Sequence, residues 1–243
     1  MKQTDKHIRS VIISGGGTGG HIFPAISIAD ELKRRDGKTR ILFVGARGRM
    51  EMERVPAAGY EIEGLPVSGL QRKITLRNIV VLINLFRSIL LASRIVSKFR
   101  PDVVIGVGGY ASGPVLRAAA KKGIPILLQE QNSYAGITNK WLAKKASKIC
   151  VAYRNMEKFF PKDKIVFTGN PVRNIVISDD LRKEGVKHFS LRPDLPVLIV
   201  VGGSLGAGTI NEAMFENIGT IKTQKFQVLW QTGKYYYGRI LEK

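Results

Sequence analysis

Three short β-branched runs, each ending in a cluster of glycines, constrain the fold of this chain more than any other feature. They read Val11-Ile12-Ile13-Ser14-Gly15-Gly16-Gly17-Thr18-Gly19-Gly20-His21, Val103-Val104-Ile105-Gly106-Val107-Gly108-Gly109-Tyr110 and Val197-Leu198-Ile199-Val200-Val201-Gly202-Gly203-Ser204. A run of this kind reads as a strand buried in a parallel sheet. The glycines let the main chain turn sharply and approach a ligand closely. After the first and third turns a helix is expected at once. Its free N–H groups and the positive end of its dipole then face the turn, an arrangement that holds phosphate. Three such turns point to a diphosphate-bearing substrate held between strand ends.

The rest of the chain keeps the same rhythm. Strand-like segments at 11–14, 40–44, 61–65, 103–107, 126–129, 148–151 and 165–168 alternate with helix-like segments at 24–35, 50–58, 75–99, 113–122 and 138–145. Such alternation predicts an α/β fold, a mostly parallel sheet with helices on both faces. Ligands of these folds sit beyond the carboxyl ends of the strands, where all three glycine turns fall. Thr168-Gly169-Asn170-Pro171-Val172-Arg173 breaks the pattern and reads as a hinge. A polar helix to about His188 follows, then a second unit opening at Val197, with a helix from about Thr209 and a strand near 226–231. Two strands and little more than one helix do not cover a parallel sheet on both faces, so the second domain is expected to be incomplete. The organisation is therefore a first domain over 1–168, a linker over 169–195 and the start of a second domain over 196–243.

Charge narrows the partners. Lys and Arg number 39 against 19 Asp and Glu, a formal charge of +20, which favours an anionic partner: nucleic acid, an acidic membrane surface or a phosphorylated substrate. No basic stretch is interleaved with stacking aromatics, so nucleic acid is the weakest of these. The basic residues Arg72, Lys73, Arg77, Arg87, Arg94, Lys98 and Arg100 flank the apolar run 79–86, with no acid between Gly69 and Arg100. The uninterrupted run is shorter than the roughly 20 residues of a membrane span, and suits either the membrane interface or a core helix with basic ends. The one cysteine, Cys150, allows no internal disulfide and fits a reducing compartment, with no secretory signal at the N-terminus. The histidines His7, His21 and His188 lie far apart, so no metal site is expected.

The turns carry the chemistry. Gly15, Gly17 and Gly20 satisfy G-x-G-x-x-G, but Val44-Gly45-Ala46-Arg47 offers no acid for a nicotinamide ribose, and no phosphate-loop motif ending in Gly-Lys-Ser/Thr is present. His21, at the mouth of the first turn, is the sharpest single candidate, for accepting a proton or contacting substrate, or else for a plain hydrogen bond to phosphate or backbone. A helix N-terminus lowers an imidazole's pKa, whereas a nearby diphosphate raises it. Gln129-Glu130-Gln131-Asn132, at the end of an apolar strand, suits sugar hydroxyl recognition or orientation of a base, or equally helix capping by Asn132 or Thr138. Arg173 suits neutralisation of a diphosphate, and Ser204 either caps the next helix or donates to phosphate.

These residues are similar in order and spacing to those of the MurG family, the UDP-N-acetylglucosamine:undecaprenyl-diphosphate-muramoyl-pentapeptide N-acetylglucosaminyltransferases. The resemblance runs through 15–25, 108–114, 130–132, 138–141, 168–173 and 202–207. It implies the glycosyltransferase B type of fold, two Rossmann-like doubly wound domains of which the second is incomplete here. It implies inverting transfer of N-acetylglucosamine to the muramoyl 4-hydroxyl of a lipid-linked acceptor at the cytoplasmic face of the inner membrane, without cofactor or metal. Carried over by motif, Thr18, Gly19, Gly20, Asn132, Arg173 and Ser204 would contact the donor. His21 and Glu130 would be catalytic, with Tyr110 and Asn139 lining the cleft. Ile79, Leu82, Leu85 and Phe86, with Arg72, Lys73 and Arg77, resemble the family's membrane-docking region. Gln129 and Leu205 depart from it, standing where many members have histidine and glutamine. Other nucleotide-sugar transferases or epimerases of the same fold, and a non-catalytic membrane-docking module needing a separate donor domain, remain as alternatives.

Overall fold

The computed structural model describes residues 8–67, 77–172, 179–203 and 206–242, the side chains of 77–79 and 179 excepted. The chain divides into two units, Met1–Asn174 and Ile175–Lys243.

The first unit is the parallel α/β layer structure that the alternating pattern predicts. In chain order it runs β1 (Ser10–Ser14), α1 (Gly19–Arg35), β2 (Arg40–Ala46), α2 (Glu51–Ala57), β3 (Glu61–Leu65), α3 (Arg77–Phe99), β4 (Val103–Gly106), α4 (Ser112–Lys121), β5 (Ile126–Glu130), α5 (Ile137–Leu142), β6 (Lys148–Val151) and β7 (Ile165–Phe167). The sheet order is β3-β2-β1-β4-β5-β6-β7, with every pairing parallel. The chain winds outward from β1 to β3, then returns to the other side of β1 for β4. The β1–β4 boundary is thus the topological switch point, where a crevice opens beyond the strand ends.

Side chains alternate across the central strands and build a core on each face. Ile12, Leu42, Val44 and Val104 face Ala92, Ile95 and Val96 of α3, Val115 and Leu116 of α4 and Leu142 of α5. Val11, Ile13, Phe43 and Ile105 face Ile22, Ala25, Ile26 and Ala29 of α1. Each fully buried aliphatic contributes about 1.5–3 kcal/mol of transfer free energy. Asp102 ties the amino end of β4 to β1, its Oδ2 accepting from the amides of Arg9 and Ser10 at 2.9 and 3.0 Å.

Helix α3 divides along its length. Ser88, Ala92, Ile95 and Val96 are buried, whereas Val80, Leu82, Ile83, Phe86 and Leu90 are each 47–63% exposed. Val80–Phe99 is long and apolar enough to cross a membrane by length and composition, which the shorter uninterrupted run did not predict. Its C-terminal half nevertheless packs on the sheet.

The second unit contains α6 (Asp179–His188), β8 (Val197–Val201), α7 (Gly208–Glu216), α8 (Ile218–Lys222), β9 (Gln227–Gln231) and α9 (Lys234–Leu241). Two sequence expectations need correction. β8 was expected to be buried, yet Ile199 is 62% and Val201 58% exposed, because among the described residues β8 pairs with β9 alone. Helices α8 and α9 were not expected. The Tyr235-Tyr236-Tyr237-Gly238 segment of α9 combines β-favouring aromatics with a helix-weakening glycine.

Candidate active site

Two glycine turns meet at the switch point. The first leaves β1 and enters α1 at Gly19, placing His21 in the opening helical turn; the second leaves β4 and enters α4 at Ser112. A helix therefore follows the second turn too, within one residue of the helix-like segment at 113–122. After the third turn the helix starts only at Gly208. The first two turns interlock. A Cβ on Gly15 would lie 2.8 Å from the Gly108 carbonyl oxygen, and one on Gly109 would collide with the Gly16 main chain. Ser112, fully buried, donates its hydroxyl to the Gly109 carbonyl at 2.9 Å and so fixes the second turn. Among the described residues, the amides of Thr18, Gly19 and Gly20 have no hydrogen-bond acceptor. These are the unsatisfied donors at the start of α1, and they carry the positive end of its dipole.

His21 stands in the middle of this arrangement. Its Nδ1 meets the Thr18 hydroxyl at 3.1 Å, and its Nε2 lies 2.8 Å from where a Cβ on Gly108 would be. Burial of the ring pushes its pKa below the ordinary 6.5, opposed by the carboxylates of Glu130 and Glu51 and by a hydrogen bond with the Gly16 backbone. The net direction is downward, so the imidazole is neutral at pH 7 and able to accept a proton.

Glu130, at the end of β5, is 1% exposed. One oxygen accepts from the Asn132 amide and Nδ2 at 3.1 and 3.2 Å; the other accepts from the Gly136 amide at 2.9 Å and Asn139 Nδ2 at 3.0 Å. Four donors use the acceptor capacity of both oxygens, so the carboxylate organises the loop from Gln131 to Asn139. Asn139 Nδ2 also donates to the Gln129 carbonyl at 3.2 Å, and Gln131 Nε2 donates to the Val107 carbonyl at 2.9 Å and to Gln129 Oε1. Gln129 Nε2, Gln131 Oε1 and Asn139 Oδ1 are buried with no partner among the described residues. Buried polar groups are ordinarily paired, so these three atoms stand out.

The structure thus brings together Thr18, Gly19, Gly20, His21, Glu130 and Asn139, with Asn132 exposed at the rim and Tyr110 59% exposed beyond the second turn. Arg173, Ser204, Arg72 and Lys73, and the side chains of Arg77 and Ile79, lie outside the described residues. Leu82 and Phe86 are exposed on α3, and Leu85 is half-buried. In the second unit, the Gly202 amide donates to Gln231 Oε1 at 3.3 Å, and Asn211 bridges the Thr232 carbonyl and Trp230 Nε1 at 2.9 and 3.1 Å. One residue escaped the sequence reading. Glu51, the first residue of α2, is 1% exposed and reaches the end of β2, the place where no acid was foreseen. An acid in the first turn of a helix reads as ordinary complement to the dipole, so nothing in the sequence marks it.

A doubly wound sheet with glycine turns on both sides of its switch point and a second Rossmann-like unit defines a protein of the glycosyltransferase B type of fold. The N-terminal domain profile of glycosyltransferase family 28 matches residues 11–151, and the chain belongs to that family. It is 58% identical over 229 residues to the UDP-N-acetylglucosamine--N-acetylmuramyl-(pentapeptide) pyrophosphoryl-undecaprenol N-acetylglucosamine transferase of Phocaeicola vulgatus, covering 94% of this chain and 61% of the relative. The chain thus spans about three fifths of the length of the curated relatives it matches. Among solved structures it is similar to MurG of Acinetobacter baumannii, with a TM-score of 0.66 and 26% identity over 96% of this chain and 63% of that one. The UDP-GlcNAc 2-epimerase of Neisseria meningitidis shares the fold, with a TM-score of 0.64 and 15% identity over 95% of this chain and 67% of that one.

Proposed function

We propose that the chain supplies the acceptor-binding part, over 1–168, and the beginning of the donor-binding part, over 196–243, of an inverting N-acetylglucosaminyltransferase of peptidoglycan precursor synthesis. The donor is UDP-N-acetylglucosamine, and the acceptor is undecaprenyl-diphosphate-linked muramoyl-pentapeptide. The observation that carries this reading is His21, partly buried and held between Thr18 and the second glycine turn, beside three main-chain amides that have no acceptor among the described residues. His21 takes the proton of the muramoyl 4-hydroxyl as that oxygen attacks C1 of the sugar. The C1–oxygen bond to the diphosphate breaks, and UDP leaves with the electron pair. The amides of Thr18, Gly19 and Gly20, with Arg173, are placed in this reading to meet the developing negative charge. Glu130, with both oxygens engaged, acts through Asn132 and Asn139 rather than on the substrate proton.

The exposed apolar turns of α3, beside Arg87 and the basic residues before it, are read as the membrane-docking surface at the cytoplasmic face of the inner membrane. There buried carbon and attraction to anionic lipid add together. That surface favours a lipid-borne acceptor over a soluble one, and over epimerisation of a free nucleotide sugar.

The test is a transfer assay on a chimaera of this chain and the remaining carboxyl-terminal length of the Phocaeicola vulgatus relative. With radiolabelled UDP-N-acetylglucosamine and the lipid-linked acceptor, label is expected in the lipid fraction as a disaccharide. Label that stays on the nucleotide, or appears there as the epimeric sugar, contradicts the proposal.

A further inference from the structure

Glu51 is a buried carboxylate that the proposed chemistry does not use. Removing a carboxylate from water is costly unless hydrogen bonds replace the solvent. Here they do: Oε1 accepts from the Ala46 amide at 2.9 Å and Oε2 from the Gly17 amide at 3.0 Å. One side chain from α2 therefore clamps the end of β2 to the middle of the first glycine turn. Two glycines make room for it. A Cβ on Gly45 would lie 2.5 Å from Glu51 Cγ; one on Gly16, whose φ is +146°, would collide with Oε1 and lie 2.9 Å from Oε2.

The clamp has a direction. It engages the Gly17 amide from the sheet side, and leaves the next three amides of the turn without an acceptor among the described residues. The same carboxylate acts on the His21 ring, as does Glu130 from the end of β5, each favouring the imidazolium against the burial that disfavours it. A carboxylate here both shapes the turn and stabilises a proton arriving on His21.

We propose that Glu51 is a positioning residue of the proposed transfer site, fixing the first glycine turn from behind so that the Thr18–Gly20 amides and the His21 ring are presented to the ligand. The assignment rests on reading that turn as the ligand-binding element. Its test uses no donor or acceptor, so it stands or fails independently of sugar transfer.

The measurement is NMR on the whole chain: amide hydrogen exchange over Gly17–Ile22, and the titration midpoint of the His21 imidazole. In the wild type the Gly17 amide is expected to be protected; an unprotected Gly17 amide overturns the proposal outright. Glu51→Gln keeps the shape but sets an NH2 against an N–H donor. It is expected to speed exchange across the turn about tenfold and to lower the His21 midpoint by about half a unit. A purely structural role would lower thermal stability and move neither, and a folded Glu51→Gln chain in which either stays at the wild-type value overturns the proposal. Glu51→Asp retains the charge and withdraws it by one methylene, so there the exchange rate alone decides, with wild-type protection contradicting the assignment.

Discussion

Gly109 lies against Gly16, backbone to backbone: a Cβ at position 109 would collide with the Gly16 carbonyl oxygen and sit 3.0 Å from its amide nitrogen. This approach locks the turn after β4 onto the turn after β1. Gly109 also has φ +86°, which side chains rarely adopt. Gly109→Ala therefore meets both strain and collision with main chain that has no room to yield. The expected cost is about 3 kcal/mol in urea unfolding. A variant as stable as the wild type would show that the two turns part freely.

Glu130 holds four N–H donors, and an amide in its place turns an NH2 group toward at least one of them. Glu130→Gln is expected to cost about 1–3 kcal/mol and to free the Asn139 side chain. Chemical denaturation measures the first effect. Sharpened, faster-exchanging Asn139 Nδ2 resonances report the second.

His21 links the site to pH. Its pKa in the folded chain lies below the ordinary 6.5, so the unfolded chain binds the proton more readily between the two values. The stability this contributes is complete above 6.5 and is lost as pH falls through the folded-state value. Compared from about pH 7.5 to pH 5, the unfolding free energy of the wild type is expected to fall relative to that of His21→Gln as pH falls. Parallel curves would show that the ring is not held neutral by burial.

Phe86 is 63% and Leu82 57% exposed, so replacing both with serine is expected to change stability by about 0.5 kcal/mol or less. Binding to vesicles containing anionic phospholipid is expected to fall about tenfold. Wild-type binding should also weaken as salt is raised. Equal co-sedimentation of variant and wild type would move membrane contact away from α3.

The fold was legible where local pattern and tertiary role coincide. β-branched runs ending in glycine marked β1 and β4, the alternation of strand-like and helix-like segments marked the other strands of the first unit, and Gly15–His21 marked the first turn and its helix. Glu130 and Asn139 were legible as neighbours of the site because they follow a buried strand. The exhaustion of Glu130's oxygens was not, since it depends on how the loop through Gly136 folds back. Glu51 was hidden because its burial depends on Gly16 and Gly45, distant from it or unremarkable in sequence. The exposure of β8 was hidden for the opposite reason. Its composition is that of a core strand, and burial is set by neighbours the sequence of β8 does not contain. The apolar stripe of α3 likewise fits a core helix or an interface helix, and only packing separates its buried turns from its exposed ones.

The most direct test of the account is the turnover of His21→Ala in the chimaera that carries this chain, measured with donor and lipid-linked acceptor both saturating. Loss of a proton acceptor at the attacking hydroxyl is expected to lower kcat about tenfold or more, with the fold intact by circular dichroism. A kcat equal to that of the unsubstituted chimaera would contradict the account.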